Sequence, residues 1–177
     1  MTNNITKEQI NDLLKIQKEF DDRIETKNLE DTVAALIIEF TEWINTLEFF
    51  KNWKKKPGKP KEVQLDEMAD FLAFSLQLLL TLMDQKDKNV VLKTMEKQIN
   101  EQELPEFRSV SFIHTLGHIV GQFTNNIDAS VIGVICLPFI YSKTYYSIDE
   151  LITAYKKKMG VNHARQDGTA DAEKGYI

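Results

Sequence analysis

Only four prolines and seven glycines interrupt the 177 residues, so little in the chain forces it out of helix, and no stretch alternates apolar and polar residues as a half-buried strand would. A single cysteine, Cys136, excludes an internal disulfide. No run approaches the roughly 20 consecutive apolar residues that a membrane-spanning helix needs. Positive charge is also short: 22 Lys and Arg face 27 Asp and Glu, for a net charge of -5 and a pI near 5.3. That balance argues against a partner made of nucleic-acid polymer or an anionic membrane, so any phosphate binding must be local. Met1 to Thr6 carries neither the basic nor the apolar region of a secretory signal, and a cytoplasmic location is expected.

Hydrophobic residues make up 42% and charged residues 28%, the composition of a globular protein long enough for one core. The expectation is an all-α fold in a single domain over 1–177. Apolar spacing of three and four predicts helices almost throughout. Thr6 followed by Gln9 is a capping-box pattern opening a first helix to about Phe20, with Leu13, Leu14 and Gln17 near one face. A second helix is predicted from about Glu30 to Lys55, with Leu36, Phe40, Trp43, Leu47 and Phe50 as its core stripe. Pro57-Gly58-Lys59-Pro60 then reverses the chain into a third helix, about Lys61 to Met83, forming an antiparallel helix hairpin. That third helix is apolar nearly all round in its later half and should lie centrally. Further helices are expected over about Asn89–Glu103, Val110–Asn125 and Ala129–Tyr141. A last one, capped by Ser147 with Glu150, runs to about Val161, before a mobile polar tail from Arg165 to Ile177.

The residues that carry chemistry are acidic. Glu39-x-x-Glu42 is followed after 24 residues by Glu67-x-x-Asp70, two i,i+3 pairs that each share one helix face. If those faces meet, four negative charges converge in a partly dry place, which is strongly unfavourable unless divalent cations neutralise them. All-oxygen ligands favour a hard ion, magnesium or manganese. A di-iron bundle would want Glu-x-x-His motifs, and none occurs. Next to the acids, Lys51, Lys54, Lys55, Lys56, Lys59 and Lys61 form a basic cluster around Trp53. Most of these read as a solvated helix end, with Lys51 and Lys54 as the candidates for a polyphosphate. His114 and His118 stand at i,i+4 without a nearby third ligand and are a weak zinc pattern; Cys136, in an apolar run, reads as a buried small hydrophobe.

The two acid pairs at this separation resemble the signature of the all-α NTP pyrophosphatases. Glu39-Phe40-Thr41-Glu42-Trp43-Ile44-Asn45, Phe50-Lys51-Asn52-Trp53-Lys54 and Leu65-Asp66-Glu67-Met68-Ala69-Asp70 resemble more closely the dimeric dUTPases, especially phage-encoded ones. Tyr155-x-x-Lys158-x-x-x-Asn162-x-x-Arg165-Gln166, with Gly175-Tyr176 beyond, resembles the C-terminal substrate motif of that family. Residues 88–141 carry no such motif, and the resemblance makes them a variable helical insert.

The resemblance implies that Glu39, Glu42, Glu67 and Asp70 hold two or more magnesium ions against a triphosphate. A water then attacks the α-phosphorus, and dUMP and pyrophosphate are formed. Glu39 is the expected base. Lys158, Arg165 and Gln166 belong to the substrate motif, the first two suited to phosphate. Phe74, one turn beyond Asp70, is expected against the deoxyribose, and Gln17 or Asn162 against the uracil edge with Trp53 nearby. The family resemblance also implies a homodimer and a host-cytoplasmic location if phage-encoded, and makes a repressor protein of mobile genetic islands a plausible partner, with the insert as the surface. The alternatives are a dCTP-specific or broader MazG-like pyrophosphatase, or a helical protein-binding regulator whose acids are surface features.

Overall fold

The computed structural model describes residues 3–83, 87–124, 131–171 and 173. Among them are seven helices and no strand: α1 Lys7–Asp21, α2 Leu29–Leu47, α3 Lys61–Met83, α4 Lys88–Glu101, α5 Ser109–Thr124, α6 Val131–Tyr145 and α7 Ile148–Gln166. The fold is therefore all-α, as expected from the spacing. The expected start of the sixth helix at Ala129 and the Gly175-Tyr176 end of the tail lie outside the described residues.

Local chemistry sets most of the ends. Gln9 N donates to Thr6 Oγ1 and Thr6 N donates to Gln9 Oε1, completing the capping box of α1. Asn28 caps α2 through Asp31 N, and Ser147 caps α7 through Glu150 N. The helix α3 is central: it packs against α1, α2, α6 and α7, and its pairing with α2 is the most extensive in the fold. The stripe Leu36, Phe40 and Trp43 of α2 is fully buried with Phe71 and Leu72 of α3, and the rings of Phe40 and Phe71 are 5.4 Å apart. Trp43 is core, as its position predicts, and its one polar atom is satisfied: Nε1 donates to Tyr146 Oη, which in turn donates to Gln64.

Two boundaries depart from the sequence pattern. The second helix stops at Leu47 instead of continuing to Lys55, because Glu48 takes a left-handed conformation with φ 54° and turns its buried carboxylate into the following loop. There it accepts from Lys51 Nζ, Lys54 Nζ and the Gly58 amide at 2.9, 2.6 and 3.1 Å. These charge-assisted bonds give the loop a stable alternative to the helix, and Phe50 is left exposed instead of joining the core stripe. Gly58, at φ +103°, makes the return that a side chain would strain, and Lys59 N closes it onto Thr46 O. The last helix, conversely, continues past Val161 to Gln166. Arg165 and Gln166 therefore start from helix and not from a free tail, and Gly160 is tolerated inside at a cost of about 1 kcal/mol.

Candidate metal centre and nucleotide pocket

The face that carries the acid pairs is where α2, α3 and α7 come together. One carboxylate oxygen each from Glu39, Glu67 and Asp70 lies within 4.8 Å of the others, close enough that the charges disfavour one another's ionisation. Glu42, the fourth acid of the pattern, is exposed on the same helix and stands outside that triplet, although its charge acts on both Glu39 and Glu67. Burial first, and then the neighbouring Asp70, Glu42 and Glu67, push the Glu39 carboxyl up to about 7. Burial likewise raises Glu67 and Asp70 above the usual carboxylate range.

Against this cluster α7 brings Lys158. Its ammonium is 2.6 Å from Asp70 and 2.7 Å from Asp66, and the residue is only 8% exposed. Burial alone would lower its pKa, but the hydrogen bonds to Asp66 and Asp70 outweigh that and hold it above its ordinary value. A cation is thus already placed on the cluster, and the oxygen-only donor set fits a hard divalent ion beside it.

Asp70 also forms part of the wall of a cavity of about 300 Å³ between α1, the α1–α2 loop, α2, α3 and α7. Phe74 and Gln77 line it from α3, Gln17 and Asp21 from α1, and Asn162 from α7. Gln17 is 3% exposed, far from the solvent-facing helix glutamine that a lone Gln usually is. Its Nε2 donates to Asp21 and its Oε1 accepts from the Tyr155 hydroxyl. Asn162 Oδ1 accepts from Arg165, which also binds Asp171.

Of the residues singled out from the sequence, Glu39, Glu67, Asp70 and Lys158 meet at the acid cluster, and Gln17, Phe74 and Asn162 meet Asp70 in the cavity. Arg165 joins Asn162 at the cavity's edge, and Gln166 follows it at the end of α7. Lys51 and Lys54 are instead turned onto Glu48, and Trp53 is 72% exposed on that loop, outside the cavity walls. His114 and His118 are exposed and belong to no metal-competent group among the described residues. Cys136 is buried, and burial pushes its thiol up to about 12, so it is no nucleophile. Sequence reasoning missed Asp66, Asp21 and Glu48. Only Asp21 had a local signal, a Gln-x-x-x-Asp spacing that stacks the two side chains one turn apart.

An all-α bundle that sets a half-buried carboxylate cluster against a nucleoside-sized cavity has the makings of a metal-assisted enzyme acting on nucleotides. The chain belongs to the all-α dUTPase family, whose model matches residues 9–169. Among curated proteins, none matches it significantly. Membership makes the protein a nucleotide hydrolase of the dUTP pyrophosphatase type, in a family that typically uses divalent metal. No described helix is long and apolar enough to cross a membrane.

Proposed function

We propose that the protein hydrolyses dUTP to dUMP and pyrophosphate with magnesium bound at Glu39, Glu42, Glu67 and Asp70. The observation that carries this is the double membership of Asp70. It belongs both to the carboxylate triplet and to the cavity wall, so a triphosphate and its nucleoside have contiguous places to lie. When bound, magnesium neutralises triphosphate charge and lowers the pKa of a nearby water.

The chain's own groups supply the rest. Glu39, a carboxylate of the triplet, would take the proton of the attacking water. The water oxygen bonds to the α-phosphorus, the bond from that phosphorus to the oxygen bridging to the β-phosphate breaks, and pyrophosphate leaves with that oxygen. Lys158 and Arg165 would supply the cations for the β- and γ-phosphates. Gln17 and Asn162 present amides, which both donate and accept, to the imide edge of uracil. Phe74 packs where a ribose 2′-hydroxyl would otherwise sit. Lys51 and Lys54 join the phosphate contacts only by exchanging Glu48.

The purified protein with dUTP, dCTP, dTTP and UTP, with and without magnesium, tests this beside Glu39→Gln and Asp70→Asn. Magnesium-dependent dUMP formation, selective for dUTP and lost in both variants, is expected. Preference for dCTP or a broad range would move the reading to another pyrophosphatase of the same superfamily, and no hydrolysis at all to a binding protein.

The working form is proposed to be a homodimer. Ile38 on α2 and Val110 and Ile113 on α5 are 52%, 65% and 62% exposed, and α2 and α5 pack on each other, so they give an apolar surface suited to a second copy. Analytical ultracentrifugation returning a species near the 20.5 kDa chain mass would overturn it.

A further inference from the structure

The side-chain amide of Gln17 is buried in the cavity wall with a partner at each end. Tyr155 Oη lies 2.9 Å from Gln17 Oε1, and Gln17 Nε2 lies 2.7 Å from Asp21 Oδ1. An amide can be flipped to exchange its oxygen and nitrogen at little cost in shape, so its orientation must come from its neighbours. An ionised carboxylate only accepts. With Oε1 turned toward Asp21 the contact would be repulsive, whereas the Tyr155 hydroxyl can donate or accept, with Leu13 O also in reach of its hydrogen at 3.4 Å, and follows whichever group faces it. Asp21 therefore selects the orientation, Tyr155 donates to the oxygen so presented, and one N–H and one lone pair of the amide remain unused.

We infer that Asp21 is a positioning residue that locks the Gln17 amide in one orientation, with Tyr155 donating to the oxygen so presented, and thereby fixes the hydrogen-bonding groups the pocket offers to a pyrimidine. The locked amide offers its free N–H and free lone pair in one fixed order, which can match the C4 carbonyl and N3–H of uracil; cytosine presents an amino group and a bare N3 in the reverse order, so the lock favours uracil over cytosine. This rests on the nucleotide-hydrolysis reading above and deepens it. Asp21 itself points to such a role. It is 3% exposed, and burial, its largest influence, pushes its carboxyl up to about 6. Near neutral pH the anion is held in a dry place that works against folding, and its side chain is aimed at Gln17 in a cavity wall.

The test is steady-state hydrolysis of dUTP and dCTP with saturating magnesium by wild type, Asp21→Asn, Asp21→Ala, Tyr155→Phe, Gln17→Ala and the Gln17→Ala/Asp21→Asn double variant. Asn at position 21 can accept or donate, so it no longer selects one flip. For Asp21→Asn we expect KM for dUTP to rise tenfold or more with kcat within about threefold, and the dUTP:dCTP ratio of kcat/KM to fall at least tenfold. Asp21→Ala, which removes the acceptor altogether, should shift the ratio in the same direction and carries the test if Asp21→Asn does not fold, while Tyr155→Phe should keep the ratio within about threefold, and a tenfold fall there would overturn the assignment of the lock to Asp21. In the Gln17→Ala background Asp21→Asn should leave the ratio unchanged, a result that loss of structure alone would not produce. Wild-type discrimination in Asp21→Asn, or an equal further loss in the Gln17→Ala background, overturns the lock while leaving the dUTPase reading intact. A wild-type enzyme that does not prefer dUTP overturns both.

Discussion

Lys158 Nζ on α7 stands 2.6 Å from a carboxylate oxygen of Asp70 on α3, so the cation that offsets the acid cluster comes from the helix that also brings Asn162 to the cavity wall. Removing one partner of such a pair leaves the other charge poorly compensated. Asp70 keeps some exposure and Asp66 is half in solvent, which moderates the cost. In a chelator-treated sample Lys158→Met should therefore be less stable by about 2 kcal/mol, roughly 4–8 °C in Tm for a chain of this size. Saturating magnesium should stabilise the wild type, by about 2.7 kcal/mol at a hundredfold excess over Kd, and raise its Tm accordingly. It should also narrow the gap to the variant, because a divalent ion takes over the neutralising role. Differential scanning calorimetry with and without magnesium measures both. A gap that magnesium leaves untouched would separate Lys158 from the metal site.

Phe74 follows Asp70 by one helical turn and lines the cavity with it. If its ring occupies the space of a 2′-hydroxyl, Phe74→Ala should open the pocket to ribonucleotides. The expected outcome is a tenfold or greater fall in the dUTP:UTP ratio of kcat/KM, since steric exclusion of one hydroxyl is worth on the order of 10²-fold at most. Phe74 is only partly buried, so the stability loss should be smaller than the 3–5 kcal/mol typical of a fully buried Phe→Ala change. Competition kinetics with mixed dUTP and UTP give the ratio directly. An unchanged ratio would place the sugar elsewhere.

The parts of this arrangement that could be read from the sequence are those that depend on helical period. Glu39, Glu42, Glu67 and Asp70 declare themselves by i,i+3 spacing, and Phe74 by its place one turn further along the same face. The parts that could not be read depend on tertiary return. Asp66 looked like any exposed helix acid, and its partner Lys158 lies 92 residues away. Glu48 sits where the pattern called for continued helix. Its left-handed turn is stabilised by two lysines and an amide that reach it only once the loop has folded. The basic cluster was accordingly legible as charge but not as geometry: Lys51 and Lys54 were visible near the acids, and their engagement with Glu48 was not. Gln17 shows the intermediate case. Its face was predictable, but its partner Tyr155 comes from α7, 138 residues away.

Asp21 gives a prediction that needs no substrate. Its folded-state pKa, about 6 against an ordinary 3.8, means that the native protein holds a proton there more tightly than the unfolded chain does. The sign follows: the stability contributed by the protonated group is fully present below about pH 3.8 and is lost as pH rises through about 6. Lys27, Lys18 and the Gln17 amide favour the anion, and Asp22 opposes it; burial outweighs the favourable groups. An asparagine has the same shape and does not titrate, so Asp21→Asn should escape the loss. At pH 4 the two proteins should have nearly equal stability, and by pH 7 the variant should be ahead by about 2 kcal/mol. Urea denaturation at a series of pH values reads this as a midpoint gap that opens between pH 4 and 7. A gap independent of pH would mean that the buried carboxylate is not strained in its ionised form. If the gap opens while the same variant loses its preference for dUTP over dCTP, the charge at position 21 costs stability where it contributes to base selection.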